Sequence, residues 1–357
     1  MLFLAVVVAV RLWIIPPPAG DGDTRIDARI LYPEVSRLIQ EHYVDPVKPE
    51  EAWSAAYSSM LKRLGPFGAY IPPRLIPAAR SWREGGGYWA GIWIRSSERG
   101  FAISRILPEQ TVGLRKLRVG DVLESINGFG LTAMTWGTAR LLLFSPGERQ
   151  FRLGVRREGQ AQSLNVVVPA LPVPEDLELR SVSDDTLVVN IFRITPEAVK
   201  VVADDFKARP RHKRIIDLRN YLHGDLSACL SLADLLLSPS SRLELRTRTT
   251  TQRIRAGDLK ASPLHMVVLT GASTIMYAEI LARLMQAAGY PLVGGKTGGF
   301  TAHLRRISLP DSGELLIADG YFFWDGENIR HAALTPRARP SGDESLLALA
   351  GKIVKEN

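Results

Sequence analysis

A chain of 357 residues, 46% hydrophobic and 23% charged, has the composition of an ordinary globular protein of two or three domains, which excludes a disordered chain, a collagen-like repeat and a polytopic membrane protein. Lys and Arg at 45 against 37 Asp and Glu leave +8, a surplus not concentrated into one long basic run, so no nucleic-acid partner is demanded. The single cysteine, Cys229, cannot close an intrachain disulfide, and six scattered histidines without a Cys/His cluster lead us to expect neither a metal nor a cofactor.

Met1 to Ile15 is almost wholly apolar, with Arg11 its only charge. A helix of about 15 residues spans about 22 Å against a ~30 Å hydrocarbon layer, which is short for a membrane span. No basic stretch precedes it and no small-residue cleavage site follows, so an uncleaved or truncated signal anchor is expected, with a buried strand or helix as the alternative. Pro16-Pro17-Pro18 and the run from Gly20 to Asp23 cannot continue a helix, which makes residues 1–20 an anchor and Pro-rich linker. Leu31, Val35, Leu38 and Ile39 then recur at helical spacing, and a second pattern after Asp45-Pro46 runs through Trp53, Ala56, Tyr57, Met60, Leu61 and Leu64. An antiparallel helix pair serving as a packing element is expected within a 25–82 helical segment.

After Gly85-Gly86-Gly87 the pattern turns to short apolar runs separated by turn residues. Gly91 to Ile94, Phe101 to Ile106, Asp121 to Ile126 and Phe151 to Arg156 read as strands, with Asn127-Gly128 a strong turn signal. The stretch from Leu117 to Gly128, LRVGDVLESING, resembles the core signature of a PDZ domain, here spanning 86–170, and Leu131 to Phe144 fits that fold's groove helix. The resemblance implies that a peptide C-terminus adds as a strand to the sheet edge, its carboxylate held by backbone N–H groups of Ala90-Gly91-Ile92-Trp93. A PDZ sheet used only as a spacer or lid is the competing reading.

From Asp185 to Pro336 strand and helix alternate: Leu187 to Phe192, Arg214 to Leu218, His265 to Thr270 and Pro291 to Val293 as strands, Pro196 to Arg209, Ala228 to Leu237 and Tyr277 to Ala288 as helices. The fold class is therefore α/β, a layered core over 175–340 preceded by a β-rich domain and a helical segment, with a closing helix at 341–357. Arg242 to Arg255 alternate with Leu243, Leu245 and threonines, as in a solvent-facing hairpin. Gly295-Lys296-Thr297 does not satisfy phosphate-loop spacing and follows a helix, which disfavours a nucleotide site.

Four stretches in this half resemble, in order, motifs of the carboxy-terminal processing (tail-specific) serine peptidases. Ile215 to Gly224 (IIDLRNYLHG) is similar to I-L-D-L-R-N-N-P-G-G, and Val267 to Thr270 leading to Ala278-Glu279-Ile280 resembles the strand-to-helix elbow ending S-A-S-A-S-E-I. Gly294 to Phe300 (GGKTGGF) resembles G-E-K-T-F-G-K, and Ala318 to Ile329 resembles T-A-x-Y-x-x-P-x-G-x-x-I. The resemblance implies a layered peptidase fold and a Ser-Lys mechanism, in which a hydroxyl on the elbow is activated by a neutral lysine. Carried over by position, the nucleophile falls on Met276, the general-base lysine on Phe300 and the assisting glutamine on Leu304. A thioether cannot attack as an alkoxide would, and a phenyl ring cannot accept a proton, so that chemistry is lacking at these positions. The oxyanion-side turn departs too: His223-Gly224 stands where the family carries two glycines.

A displaced Ser273–Lys296 dyad is the fallback; its bland competitors are a hydroxyl of Ser273 or Thr274 capping the helix that contains Glu279, and a solvated charge at Lys296. Asp217 and Arg219 are expected to organise a turn, Glu279 to sit at a helix N-terminus or to pack, and His223 and His303 to be structural. The reading is a membrane-anchored homologue of these peptidases, proteolytically inactive, that binds protein C-termini or unfolded polypeptide as an adaptor, as a regulator or as partner of an active peptidase relative. Its soluble part is expected outside the cytoplasm, in the periplasm or at the cell exterior. The alternative is an active serine-type endopeptidase using Ser273 and Lys296; a structural assembly protein without peptide affinity is a third class.

Overall fold

A computed structural model of the chain describes residues 28–45, 49–107, 114–160, 162–237, 240–256, 265–338 and 343–356. The apolar segment and linker expected at residues 1–20 lie outside them. No helix among the described residues is long and apolar enough to cross a membrane. The described residues fall into two compact units, one up to Ala52 and the other from Trp53 onward. In the first, α1 (Ala28–His42) displays Leu31, Val35, Leu38 and Ile39 along one face, and Arg37 pairs with Glu34 and Glu41 at i−3 and i+4. Helix α2 (Pro49–Arg63) contributes its residues from Trp53 onward to the second unit, where Leu61 is buried and the Tyr57 ring meets Tyr70 edge-on at 5.1 Å.

Within the second unit, α3 (Ile76–Glu84) leads through the glycine triplet into an antiparallel sheet. Its strands Ile92–Ser97, Gly100–Ile106, Val122–Ile126, Gln150–Arg156 and Leu164–Pro169 lie side by side in that order. Asn127 and Gly128 turn the chain with φ of 50° and 84°, both in the left-handed region that an Asn-Gly pair tolerates. Ile92–Ser97 is one of its two edge strands, Leu164–Pro169 the other. The helix expected over Leu131 to Phe144 is only the six-residue α4 (Trp136–Leu141). Thr135 accepts the Thr138 N–H and sets its start, and beyond it Phe144-Ser145 leaves the helix to pair with Tyr88-Trp89. The buried side chains of Leu131, Leu142 and Leu143 supply the apolar period without helical backbone.

The α/β core follows the alternation in the sequence closely. Leu177–Ser183 pairs antiparallel with Thr186–Ile191, and Lys213–Asp217, Met266–Thr270 and Leu292–Gly294 add in parallel. Between them run α5 (Pro196–Ala208), α6 (Leu226–Leu236) and α7 (Met276–Ala287), with α8 (Asp343–Glu356) closing the chain. Successive strand residues point to opposite faces. Ile216 and Val268 pack with the helices α5, α6 and α7, while Ile215, Val267 and Leu269 pack with Leu346, Ala350 and Val354 of α8. Burial on both faces explains why these strands read as continuous apolar runs. Thr195 caps α5 and Asp225 caps α6 through the N–H groups of Ala198 and Ala228.

The arginine-rich stretch is a hairpin, Ser240–Thr247 with Thr251–Ala256, joined to a long strand, Glu314–Trp324. Leu243 and Leu245 point inward, and among the arginines Arg242 pairs with Asp325 and Arg246 with Glu244. The opposite end of the long strand pairs with Ala69–Ile71 and His303–Ser308.

Candidate functional site

After Met266–Thr270 the chain bends sharply into α7, and Met276 opens that helix with φ of 54°. A non-glycine residue in the left-handed region is strained by about 1–2 kcal/mol, and persists only where its surroundings fix it. Here the Met276 N–H donates to the Phe300 carbonyl at 2.6 Å. Thr274 Oγ1 donates to the Leu218 carbonyl at 2.9 Å and accepts the Gly271 N–H at 3.0 Å. Ser273 Oγ lies 3.4 Å from Ser104 Oγ of the antiparallel sheet. Neither hydroxyl caps α7, whose N-cap, Ile275, makes no side-chain hydrogen bond. The capping role expected for Ser273 or Thr274 is thus replaced by turn closure and an inter-sheet contact.

Glu279, one turn into α7, organises the facing loop. Its carboxylate accepts the Thr297 hydroxyl and the N–H groups of Gly299 at 3.1 Å and Phe300 at 2.9 Å. Burial pushes its pKa above the ordinary carboxylate value even though all three donors favour the charged form. At Gly298 the loop comes so close to the elbow that a Cβ would lie 2.3 Å from Ile275 Cγ2, so only glycine fits. Phe300 is held edge-on between Phe67 at 5.8 Å and His331 at 6.0 Å. Met276 and Leu304 face a cavity of about 790 Å³, shared with Tyr277 and with the turn at His223-Gly224. The structure therefore places Met276 against Phe300 through the backbone and Met276 and Leu304 around one cavity. No hydroxyl–amine pair joins these three positions.

Across the cavity, His223-Gly224 runs parallel to Arg193-Ile194, and a Cβ on Gly224 would meet Ile194 Cβ at 2.9 Å. The His223 ring leans on Trp82 at 4.5 Å. Burial, reinforced by Arg140, Arg83, Arg193 and Arg306, lowers its pKa to about 3 and keeps the imidazole neutral. Arg219 clasps Asp217 with two bonds of 2.9 and 2.7 Å, both side chains buried, as a turn-organising pair would. His303 is bonded to Asp319 at 2.6 Å, and Asp319 also takes Arg305 at 2.7 Å.

A second cavity of about 370 Å³ lies between the edge strand Ile92–Ser97 and α4 on one side and the elbow loops on the other. Ser273 and Lys296 both line it, yet no hydrogen bond connects them, and Lys296 is exposed. Ala90, Gly91, Ile92 and Trp93 are all buried. The Ala90 N–H already donates to the Leu143 carbonyl, Trp93 Nε1 reaches the Tyr221 carbonyl at 3.2 Å, and Trp136 Nε1 spans the groove to the Ile94 carbonyl at 3.1 Å. Of the segment expected to hold a carboxylate, the Ala90 N–H and the Trp93 indole are thus already engaged.

Sequence reasoning passed over Arg140. It donates to the Leu222 carbonyl at 2.6 Å and lies 4.4 Å from the Trp136 ring centroid and 5.3 Å from that of Trp82. Only the Trp136–Arg140 spacing of four on a short helix hinted at it. Among the described residues no three His, Cys, Asp or Glu side chains gather as metal ligands.

The fold resembles that of known proteins. The family model of Peptidase family S41 matches residues 185–338, the stretch that carries the elbow and both facing loops. Among solved structures, the photosystem II D1 C-terminal processing protease superposes with a TM-score of 0.63 at 16% identity, over 91% of this chain and 97% of that one. A lipoprotein from Streptococcus agalactiae gives a TM-score of 0.44 at 16% identity, over 51% of this chain and 70% of that one. The tricorn protease gives 0.34 at 11% identity, over 75% of this chain and 29% of that one. No curated protein matches the sequence.

Proposed function

We propose that the chain is a proteolytically inactive relative of the carboxy-terminal processing peptidases that binds polypeptide C-termini or unfolded segments. The observation that carries this reading is the elbow itself: its strained backbone is kept at Met276, while Met276, Phe300 and Leu304 present only apolar side chains. A Ser-Lys peptidase needs an oxygen there and a desolvated amine beside it. In this reading the antiparallel sheet is a PDZ domain whose edge strand Ile92–Ser97 and short helix α4 form the peptide groove. Residues 1–20 anchor the protein in a membrane, with the folded part on the extracytoplasmic side. An adaptor or regulator of an active peptidase relative is the role that fits binding without cleavage.

The rival reading, an active endopeptidase using Ser273 and Lys296, draws on the 370 Å³ cavity they share. Against it, the serine is engaged with Ser104, the lysine is exposed, and no hydrogen bond joins the two. The test is to incubate the chain with a permanently unfolded protein carrying an apolar tail, following binding by fluorescence anisotropy and substrate length by gel. Saturable binding with intact substrate is expected. Shortening of the substrate, or no binding at all, would overturn the reading.

A further inference from the structure

The cavity beside the elbow has a charged end that the peptidase comparison leaves unassigned. Of the arginines around His223, Arg83 pairs with Glu314 at 2.9 Å and Arg193 with Asp176 at 2.6 Å. Arg140 and Arg306 have no carboxylate partner among the described residues, and both line the cavity. Arg140 is held between two indoles and spends one N–H on the Leu222 carbonyl, which leaves most of its five donors without a protein acceptor. Burial without a counter-ion lowers its pKa to about 10, still far above neutrality, so the charge persists. The neutral His223 ring adds no charge of its own but can donate or accept a hydrogen bond there. Leu226, Leu230, Met276, Leu304 and Leu316 give the cavity an apolar stretch of wall, with Ser227, Ser231, Arg255 and His303 also lining it. Acidic side chains at the cavity are otherwise occupied: Asp225 caps α6, and Asp234 already has an interaction of its own. A volume of about 790 Å³ is in the range of a site for a small ligand or a few residues of chain.

We infer that this cavity is a carboxylate site, in which Arg140, assisted by Arg306, receives the terminal carboxylate of a polypeptide whose last residues are apolar and lie against Met276 and Leu304. The inference rests on the peptide-binding reading above and deepens it by naming the end of the ligand and the guanidinium that holds it. A charge-assisted, two-pronged contact of this kind in a half-buried site discriminates strongly between an acid and an amide.

The experiment titrates the full chain with a fluorescein-labelled decapeptide ending in Ala-Val-Leu, once as the free acid and once as the C-terminal amide. Binding of the acid roughly tenfold tighter than the amide is expected. Arg140→Gln should remove most of that difference, and Arg306→Gln, at an exposed position with no structural partner, should reduce it about threefold. The Arg306→Gln and acid-against-amide results hold even if Arg140→Gln fails to fold. Equal binding of acid and amide overturns the inference while leaving the peptide-binding reading intact; binding of neither overturns both. Dodecanoate displacing the acid peptide at a lower concentration than unlabelled peptide would reassign the site to a fatty acid and overturn the polypeptide assignment.

Discussion

At the elbow beside the larger cavity Glu279 takes three donors, Thr274 closes its turn, and the Met276 N–H has the Phe300 carbonyl. On the opposite wall Arg140 and Arg306 carry charge with no carboxylate partner among the described residues. The difference teaches how to separate scaffold from site where only apolar side chains stand at the elbow. Matched groups hold a shape, whereas an unmatched cation beside an apolar cavity is charge kept for something that arrives from outside.

If the elbow wall is pure scaffold, its largest dependence should be on Glu279. Glu279→Ala strands the Thr297 hydroxyl and two buried N–H groups, and should cost about 3–4 kcal/mol in chemical denaturation, with peptide binding falling only as far as folding does. A loss below about 1 kcal/mol would mean that water or another group replaces the carboxylate.

The cationic wall should reveal itself in acid. His223 is neutral in the folded chain with a pKa near 3, against 6.5 for a free imidazole, so the stability it contributes is complete above pH 6.5 and is lost as pH falls from there toward 3. His223→Phe should flatten that part of the stability–pH curve by on the order of 1–2 kcal/mol, allowing for solvent screening of a half-buried ring. An unchanged acid limb would place the imidazole in water rather than among arginines.

The smallest effect tests the strain. At φ of 54°, Met276→Gly should be more stable than Met276→Ala by about 1 kcal/mol, the reverse of the ordering inside a helix. Equal stabilities would remove the strained elbow from the comparison.

The core was legible from residues because its strands are buried on both faces and its helices keep their apolar period, as at Ile215-Ile216 and along α7. The short α4 was not, because Leu131, Leu142 and Leu143 are buried from irregular backbone and mimic a helical face. At the site, motif spacing brought Met276, Phe300 and Leu304 into one neighbourhood. It could not show that Met276 is left-handed, that Glu279 holds a loop some twenty residues away, or that Arg140 sits on two indoles, one of them 58 positions earlier in the chain. Those facts depend on long-range packing, to which local periodicity is blind. The same holds for the Ala90–Trp93 segment, whose Ala90 N–H and Trp93 indole meet the Leu143 and Tyr221 carbonyls.

Turnover of a quenched-fluorescent unfolded polypeptide by the full chain decides most directly between an inert elbow and a working one. The expected result is no turnover above the buffer control for the native sequence, Ser273→Ala and Lys296→Ala alike. Turnover by the native sequence that vanishes in either variant would contradict it, and would place the attacking oxygen in the smaller cavity rather than nowhere.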